Sequence, residues 1–251
     1  MSRTTPSRLH SAFAACGVIA ALAAAAPAHA ALVYANDFDS AATVAAGVSA
    51  SGLTNGSLTT ALGSHAGSNG KTWARNVFIN QSAGNPATTS TLTLTGLGAH
   101  SAISIDFMLG FLNSWDSTNG SVSPDFLDIF IDGNPVAQLT TATASGSNTQ
   151  FGGGTLLVNN GQVDADTGWS DDLVDMGTAG FLSLAHSAST LTLSIRASGA
   201  GWQGGNDEYW GVDALRISTS GGNTVPEPAT FGLVAVAALA AAATRRRRLR
   251  G

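Results

Sequence analysis

Two groups of oxygen-bearing side chains flank the long central stretch of this 251-residue chain. Asn36, Asp37 and Asp39 stand near its start, and Asp207, Glu208 and Asp213 near its end. Carboxylates and amides, with no thiol or imidazole among them, are the donor set of a hard cation, above all Ca2+. Asp213 has the parity of Leu215 and Ile217 in an extended segment, so it leans to their side. If that side is the core, its carboxylate needs a partner, because an unpaired buried charge is very costly. Two arrangements meet that need. One is a structural Ca2+ shared by the two groups. The other is a hydrogen-bonded aspartate at a strand start, with the remaining acids solvated.

A second set of residues has the chemistry to hold a sugar. Trp115 sits in a polar loop with Asp116 and Asn119, and Trp202 in a glycine-rich one close to Asn206. Aromatic faces stack on sugar rings, and a few placed polar groups then fix orientation. The alternative is that each tryptophan covers a core at the base of its loop, as large aromatics usually do.

Catalytic signals are weak. Glycosidases need two carboxylates flanking the bond, and no paired spacing on one strand suggests them. His65, His100 and His186 are scattered and lack metal-ligand spacing. No nucleophile elbow, P-loop or dinucleotide fingerprint occurs. The residues favour a non-enzymatic protein, with a carbohydrate-active enzyme as the rival. The outward threonines Thr91, Thr93 and Thr95 are a short row of the kind that binds ice, but such residues are common on any exposed strand.

Charge narrows the partners. Between residues 31 and 224 stand fourteen Asp and Glu208 against Lys71, Arg75, Arg196 and Arg216, a net of 4 − 15 = −11. Nucleic acid and anionic membranes attract basic surfaces, so neither suits this stretch, whereas divalent cations do.

The elements that must position these residues are strands. Thr91 to Thr95 and Ile103 to Phe111 alternate apolar and polar side chains, the mark of half-buried strands. Leu32 to Phe38, Trp73 to Ile79, Phe126 to Ile131, Val136 to Thr143, Thr155 to Val158, Gly180 to Ala185, Leu191 to Ile195 and Tyr209 to Ser218 complete the set. Asp132-Gly133-Asn134 is a turn signal that makes a hairpin of its two flanking strands. Residues 41–70 are expected to be a long surface excursion with weak strands, and Asp171, Asp172 and Asp175 to lie in a polar stretch. Eight or more strands separated by turns predict an all-β domain, a two-sheet β-sandwich of jelly-roll type. The first and last strands of a jelly roll often lie side by side. That would bring Asn36, Asp37 and Asp39 to Asp207, Glu208 and Asp213.

The two ends of the chain read as addresses. Arg3 and Arg8, the apolar run from Ala12 to Ala26 and the small-residue site at Ala28 and Ala30 make a secretory signal peptide over residues 1–30. The only cysteine, Cys16, lies inside it, so the remaining chain uses no disulfide. At the other end Val225-Pro226-Glu227-Pro228 precedes an apolar run, Ala229 to Ala243, and then Arg245, Arg246, Arg247 and Arg248. The arginines keep the last residues cytoplasmic. Fifteen residues of helix cover roughly 22 Å against a bilayer core of about 30 Å. The run therefore reads as a transient membrane helix of the kind removed after sorting. The expected organisation is a β-sandwich ectodomain over 31–220, a linker over 221–228, and a hydrophobic helix with an arginine-rich tail over 229–251.

This tail resembles the PEP-CTERM sorting signal of exopolysaccharide-producing Gram-negative bacteria. The resemblance implies an exosortase-type partner in the inner membrane, then delivery to the envelope surface or extracellular matrix. Short islands in the central stretch also resemble the jelly-roll domain of many PEP-CTERM and other secreted bacterial proteins. They are Asn36-Asp37-Phe38-Asp39, Gly98-Ala99-His100, Ser114-Trp115-Asp116, Pro124-Asp125-Phe126 with Asp132-Gly133, and the run from Asn206 to Asp213. That fold is shared with lectin-like and carbohydrate-binding modules, which implies contact with exopolysaccharide.

Overall fold

The computed structural model describes residues 30–118, 123–143, 150–166 and 168–221. The PEP motif, the arginine cluster, Asn119 and all of the signal peptide but Ala30 lie outside them. Ala30 itself is exposed, just ahead of the first strand.

Fourteen strands run through the described residues, and every pairing between them is antiparallel. In chain order they are β1 (Ala31–Asn36), β2 (Thr43–Val44), β3 (Ser49–Ala50), β4 (Ser57–Ala66), β5 (Thr72–Asn80), β6 (Ser90–Thr95) and β7 (Ala102–Asn113). Then come β8 (Phe126–Ile131), β9 (Asn134–Leu139), β10 (Thr155–Gly161), β11 (Asp171–Asp175), β12 (Ser183–Ala185), β13 (Thr190–Ser198) and β14 (Glu208–Ser220). The larger sheet has the order β10-β11-β7-β14-β1-β2, with β12 also paired to β7 and the β4–β5 hairpin joined through β14. The smaller sheet is β3-β6-β13-β8-β9. The two-sheet β-sandwich expected from the sequence is what forms.

Strict alternation places the main core between the sheets. Ile103, Ile105, Phe107, Leu109 and Phe111 of β7 meet Leu92 and Leu94 of β6, Leu127, Ile129 and Ile131 of β8, and Leu191, Leu193 and Ile195 of β13. Each such side chain contributes about 1.5–3 kcal/mol when removed from water. First and last strands do lie side by side, from Ala31 opposite Thr219 to Asn36 opposite Leu215.

The large sheet is buried on its second face as well. Trp73, Ile79, Met108, Leu112, Leu173 and Tyr209 form a separate cluster there. This second core explains where the sequence reading departs from the fold. Within the expected surface excursion, residues 57–66 form a ten-residue strand that is largely exposed but pairs with β5 and adds Ala61 to this second cluster. Asp171, Asp172 and Asp175 are not in a polar stretch. All five residues of β11 are buried between β10 and β7. Gly180–Leu182 forms a 3-10 turn, so only Ser183–Ala185 is strand in that segment. A bulge in β14 between Asp213 and Arg216, with Ala214 at φ +49°, breaks the expected parity. Trp210 and Val212 before the bulge and Leu215 and Ile217 after it all face the main core. Asp213 therefore faces the opposite side, beside Met108 in register. One extra residue in a strand reverses every parity beyond it.

Candidate functional site

The loop after β7 is built around its tryptophan. Trp115 turns inward, packs edge-on against Phe111 at 4.9 Å and donates its indole N–H to the Tyr209 carbonyl at 2.7 Å. With the indole pointing in, the next residue, Asp116, stays half-buried at the surface. Its backbone N–H donates to Asp125 Oδ2 at 2.7 Å, and the Asp125 N–H returns to the Asp116 carbonyl at 2.8 Å. This reciprocal pair closes the loop and sets Asp125 just before β8. The loop before β14 comes down on the same spot. A Cβ on Gly201 would stand 2.0 Å from the Ser123 carbonyl oxygen and 2.8 Å from Asp125 Oδ1, so only glycine permits that approach. Glu208 opens β14, opposite Asn113, and its Oε2 accepts the Gln203 N–H at 2.7 Å.

Asp116, Asp125 and Glu208 thus converge, one carboxylate oxygen of each within 4.8 Å of the others. Burial pushes the Asp125 carboxyl up to about 8. The Asp116 N–H opposes the shift, and the charges of Glu208, Asp116 and Asp207 add to it. Burial raises Glu208 and Asp116 too, each with the Asp207 charge contributing. Asp207 is held by the Ser114 hydroxyl at 3.2 Å. Oxygen donors at this spacing suit a hard divalent cation.

The six residues expected to share one ion divide between two places. Asp207 and Glu208 belong to the cluster just described, with Asp116 and Asp125 as neighbours. Asp213 lies with Asp37 and Asp39, lining one open cleft with Arg75 and Arg216. Its oxygens accept the N–H groups of Ala74 at 3.0 Å and Ala214 at 2.6 Å. Asp39 takes the Asn76 N–H, and Asp37 those of Asp39 and the Ser40 hydroxyl. Asn36 accepts from the Phe38 N–H and donates to the Tyr34 hydroxyl. These groups are committed to the backbone and to each other. The separation follows from strand length, because Glu208 and Asp213 are five residues apart, about 17 Å along a strand.

The stacking platforms are not on the surface. Trp115 and Trp202 are 1% and 6% exposed and pack on one another at 5.3 Å within the main core. Of the five tryptophans, Trp169 alone is exposed, at 54%, in the loop ahead of β11. Its glycine and aspartate neighbours were the signal that could have found it.

The scattered histidines also come together in part. His100 Nε2 lies 2.6 Å from His186 Nδ1, and His186 Nε2 lies 3.0 Å from Asp132 Oδ2. Asp132 sits in the turn after β8, so this chain ties that turn to the large sheet. β8 is therefore anchored by Asp125 ahead of it and by Asp132 behind it.

The buried acids predict how stability responds to pH. Burial raises Asp171 to about 6 and Asp213 to about 7, as it raises Asp125 to about 8, all from 3.8. Each carboxyl holds its proton more tightly folded than unfolded. Its stabilising effect is full below pH 3.8 and is lost as pH rises through the folded value. Asp175 runs the other way. Burial alone would raise it, but Lys71 and the N–H groups of Ser68 and Gly177 hold it at about 2, so its contribution disappears only toward that pH. Metal-free protein should be most stable near pH ~4–5, with a urea midpoint that falls toward pH ~8. A midpoint that stays flat or rises over that range would contradict the burial of these acids.

Residues 224–248 match the family model described as the PEP-CTERM protein-sorting motif. No curated protein matches the chain. Among solved structures it is similar to the Clostridium thermocellum N-terminal endo-1,4-beta-D-xylanase 10B CBM22-1–GH10 modules complexed with xylohexaose. Identity is 12%, the TM-score is 0.23, and the match covers 71% of this chain and 27% of that one. The chain thus spans about a quarter of that protein. Among the described residues no helix is long and apolar enough to cross a membrane. The chain carries a PEP-CTERM sorting motif at residues 224–248, the mark of an exported protein sorted by an exosortase.

Proposed function

We propose that this chain is a non-enzymatic β-sandwich protein of the cell surface or extracellular matrix, stabilised by structural Ca2+ and in contact with exopolysaccharide. The observation that carries this reading is the sorting motif. Its apolar run crosses the inner membrane transiently, Arg245 to Arg248 hold the cytoplasmic side, and an exosortase removes the tail near Pro226 to Pro228. Contact with polymer is supported by Trp169, an exposed ring on a domain whose other tryptophans are buried.

Hydrolysis or lysis of a glycan is the second reading, and the acid cluster favours it. A carboxyl held near 8 beside a second carboxylate has the protonation of a general acid at neutral pH. Against it, Asp125 and Glu208 are both 0% exposed. A glycosidic oxygen would have to come within hydrogen-bond reach of one of them.

Mass spectrometry of the protein recovered from a host with its own sorting machinery tests the reading. The expected mass runs from Ala31 to a terminus near Pro226–Pro228. A mass that still includes Gly251 would mean a persistent anchor, and the matrix role would fail.

A further inference from the structure

We propose that Asp116, Asp125 and Glu208 hold a calcium ion that clamps the two sheets together at one end of the sandwich. This rests on the calcium stabilisation proposed above and fixes its ligands.

Convergence of the three carboxylates is the first observation. The second is independent of it. Asp125 and Glu208 are completely buried, yet among the described residues Asp125 Oδ1 and Glu208 Oε1 accept no hydrogen bond. The other oxygen of each is already taken by a backbone N–H, of Asp116 and Gln203 respectively. A buried acceptor left unsatisfied costs the whole of its desolvation.

Other buried carboxylates in the protein show the contrast. Asp171 accepts the N–H groups of Asn113 and Val163 on its two oxygens. Asp172 accepts from Asn160 N–H and the Thr141 hydroxyl. Asp164 accepts from Asp166 N–H and the Tyr209 hydroxyl. Asp213 accepts from Ala74 and Ala214. Asp106 Oδ1 has no hydrogen bond either, but it is ion-paired with Lys71. None of the ion pairs among the described residues reaches Asp116, Asp125 or Glu208. Three converging carboxylates, two of them with an unsatisfied oxygen and none paired with a cationic side chain among the described residues, are completed by a cation.

The chemistry and the position agree. All the donors are hard oxygens, and two oxygens bound to one Ca2+ at about 2.4 Å stand at most about 4.8 Å apart. Ca2+ tolerates an irregular set that water and carbonyls fill out, whereas Mg2+ demands a near-regular octahedron. Asp116 is half-buried, so the cluster reaches the surface at that residue. Asp116 follows β7 and Glu208 opens β14, both in the large sheet, whereas Asp125 leads into β8 of the small sheet. The ion would therefore link the two sheets in a domain whose only cysteine, Cys16, lies far outside it.

The test is thermal melting of the full-length chain, freed of metal by chelator, with Ca2+ or Mg2+ added back, together with tryptophan-sensitised terbium emission. At a calcium concentration about a hundred times its Kd, Tm should rise by roughly 5–10 °C, and Mg2+ should give much less. Asp116→Asn and Glu208→Gln should each weaken calcium and terbium binding at least tenfold, while Asp37→Asn with Asp39→Asn leaves it unchanged. Asp116 is not fully buried, so its variant keeps the test valid if Glu208→Gln fails to fold. Calcium binding that survives both single substitutions, or that is lost with Asp37 and Asp39, would overturn this site and leave calcium stabilisation standing. Absence of any calcium response would overturn both. Neither outcome touches the sorting reading, which the mature mass decides separately.

Discussion

Replacing Lys71 by Met should cost the protein about 3–5 kcal/mol, the loss expected when one partner of a buried ion pair is removed. Lys71 is the single lysine in the sequence and is 1% exposed. Its ammonium contacts Asp106 Oδ1, lies 2.8 Å from Asp175 Oδ1 and donates to the Ser68 hydroxyl at 3.1 Å. Those acids come from β7 and β11, and Lys71 itself leads into β5, so one charge joins three segments on the second face of the large sheet. Methionine keeps the stem and removes the charge, leaving Asp106 and Asp175 close together with no cation. For a domain of this size the loss corresponds to a fall in Tm of about 10 °C or more. Asp175→Asn in the same chain should reduce the cost of Lys71→Met, because the two substitutions remove one shared interaction. Chemical denaturation of the four members of that cycle measures it. A cost under about 1 kcal/mol would show that the network is solvated.

Trp115→Ala should destabilise by a similar amount, about 3–5 kcal/mol, as large-to-small changes of buried aromatics do. The side chain fills the core between Phe111 and Trp202, and its indole N–H satisfies the carbonyl of Tyr209. The vacated space could not close without moving the loop that carries Asp116 and, through it, Asp125. Loss of the tryptophan should therefore weaken cation binding in addition to lowering stability. Trp169→Ala is the complementary change. It should leave stability within about 0.5 kcal/mol, as surface substitutions usually do, while weakening the proposed binding to exopolysaccharide roughly tenfold, or about 1.4 kcal/mol. Urea melts and a polymer pull-down on both variants separate the roles. If Trp115→Ala folds normally and loses polymer, the inward placement of this residue is refuted.

Much of the framework can be read from the chain. Thr91 to Thr95, Ile103 to Phe111 and Phe126 to Ile131 alternate so regularly that strand and core face follow from period two, and Asp132-Gly133-Asn134 supplies the hairpin turn. Burial alternates accordingly in β6, in β8 and in the first half of β7, whereas from Phe107 onward every residue of β7 is buried because the second core covers its other face. The sorting motif is likewise local, because its parts are contiguous and need no fold to act. The sequence points to both Glu208 and Asp116, but for different roles and with different neighbours.

Tertiary structure decided which acids meet. Period two assigns a residue to a face but says nothing of which strand lies beside it, and Asp125 reaches Glu208 only because the loops ahead of β8 and β14 meet at one end of the sandwich. The buried acids of β11 could not be recognised either. A sheet covered on both faces has no alternation, and the carboxylates of β11 are tolerated there by N–H groups, the Thr141 hydroxyl and a lysine brought from other segments. The bulge at Ala214 reversed a parity that the sequence spacing alone would place with Leu215. The sequence by itself determined that this chain makes strands and carries an export address. Only the assembled sheets, by bringing non-local donors and acceptors together, decided where its charges are satisfied and where three carboxylates converge with two of their oxygens unsatisfied.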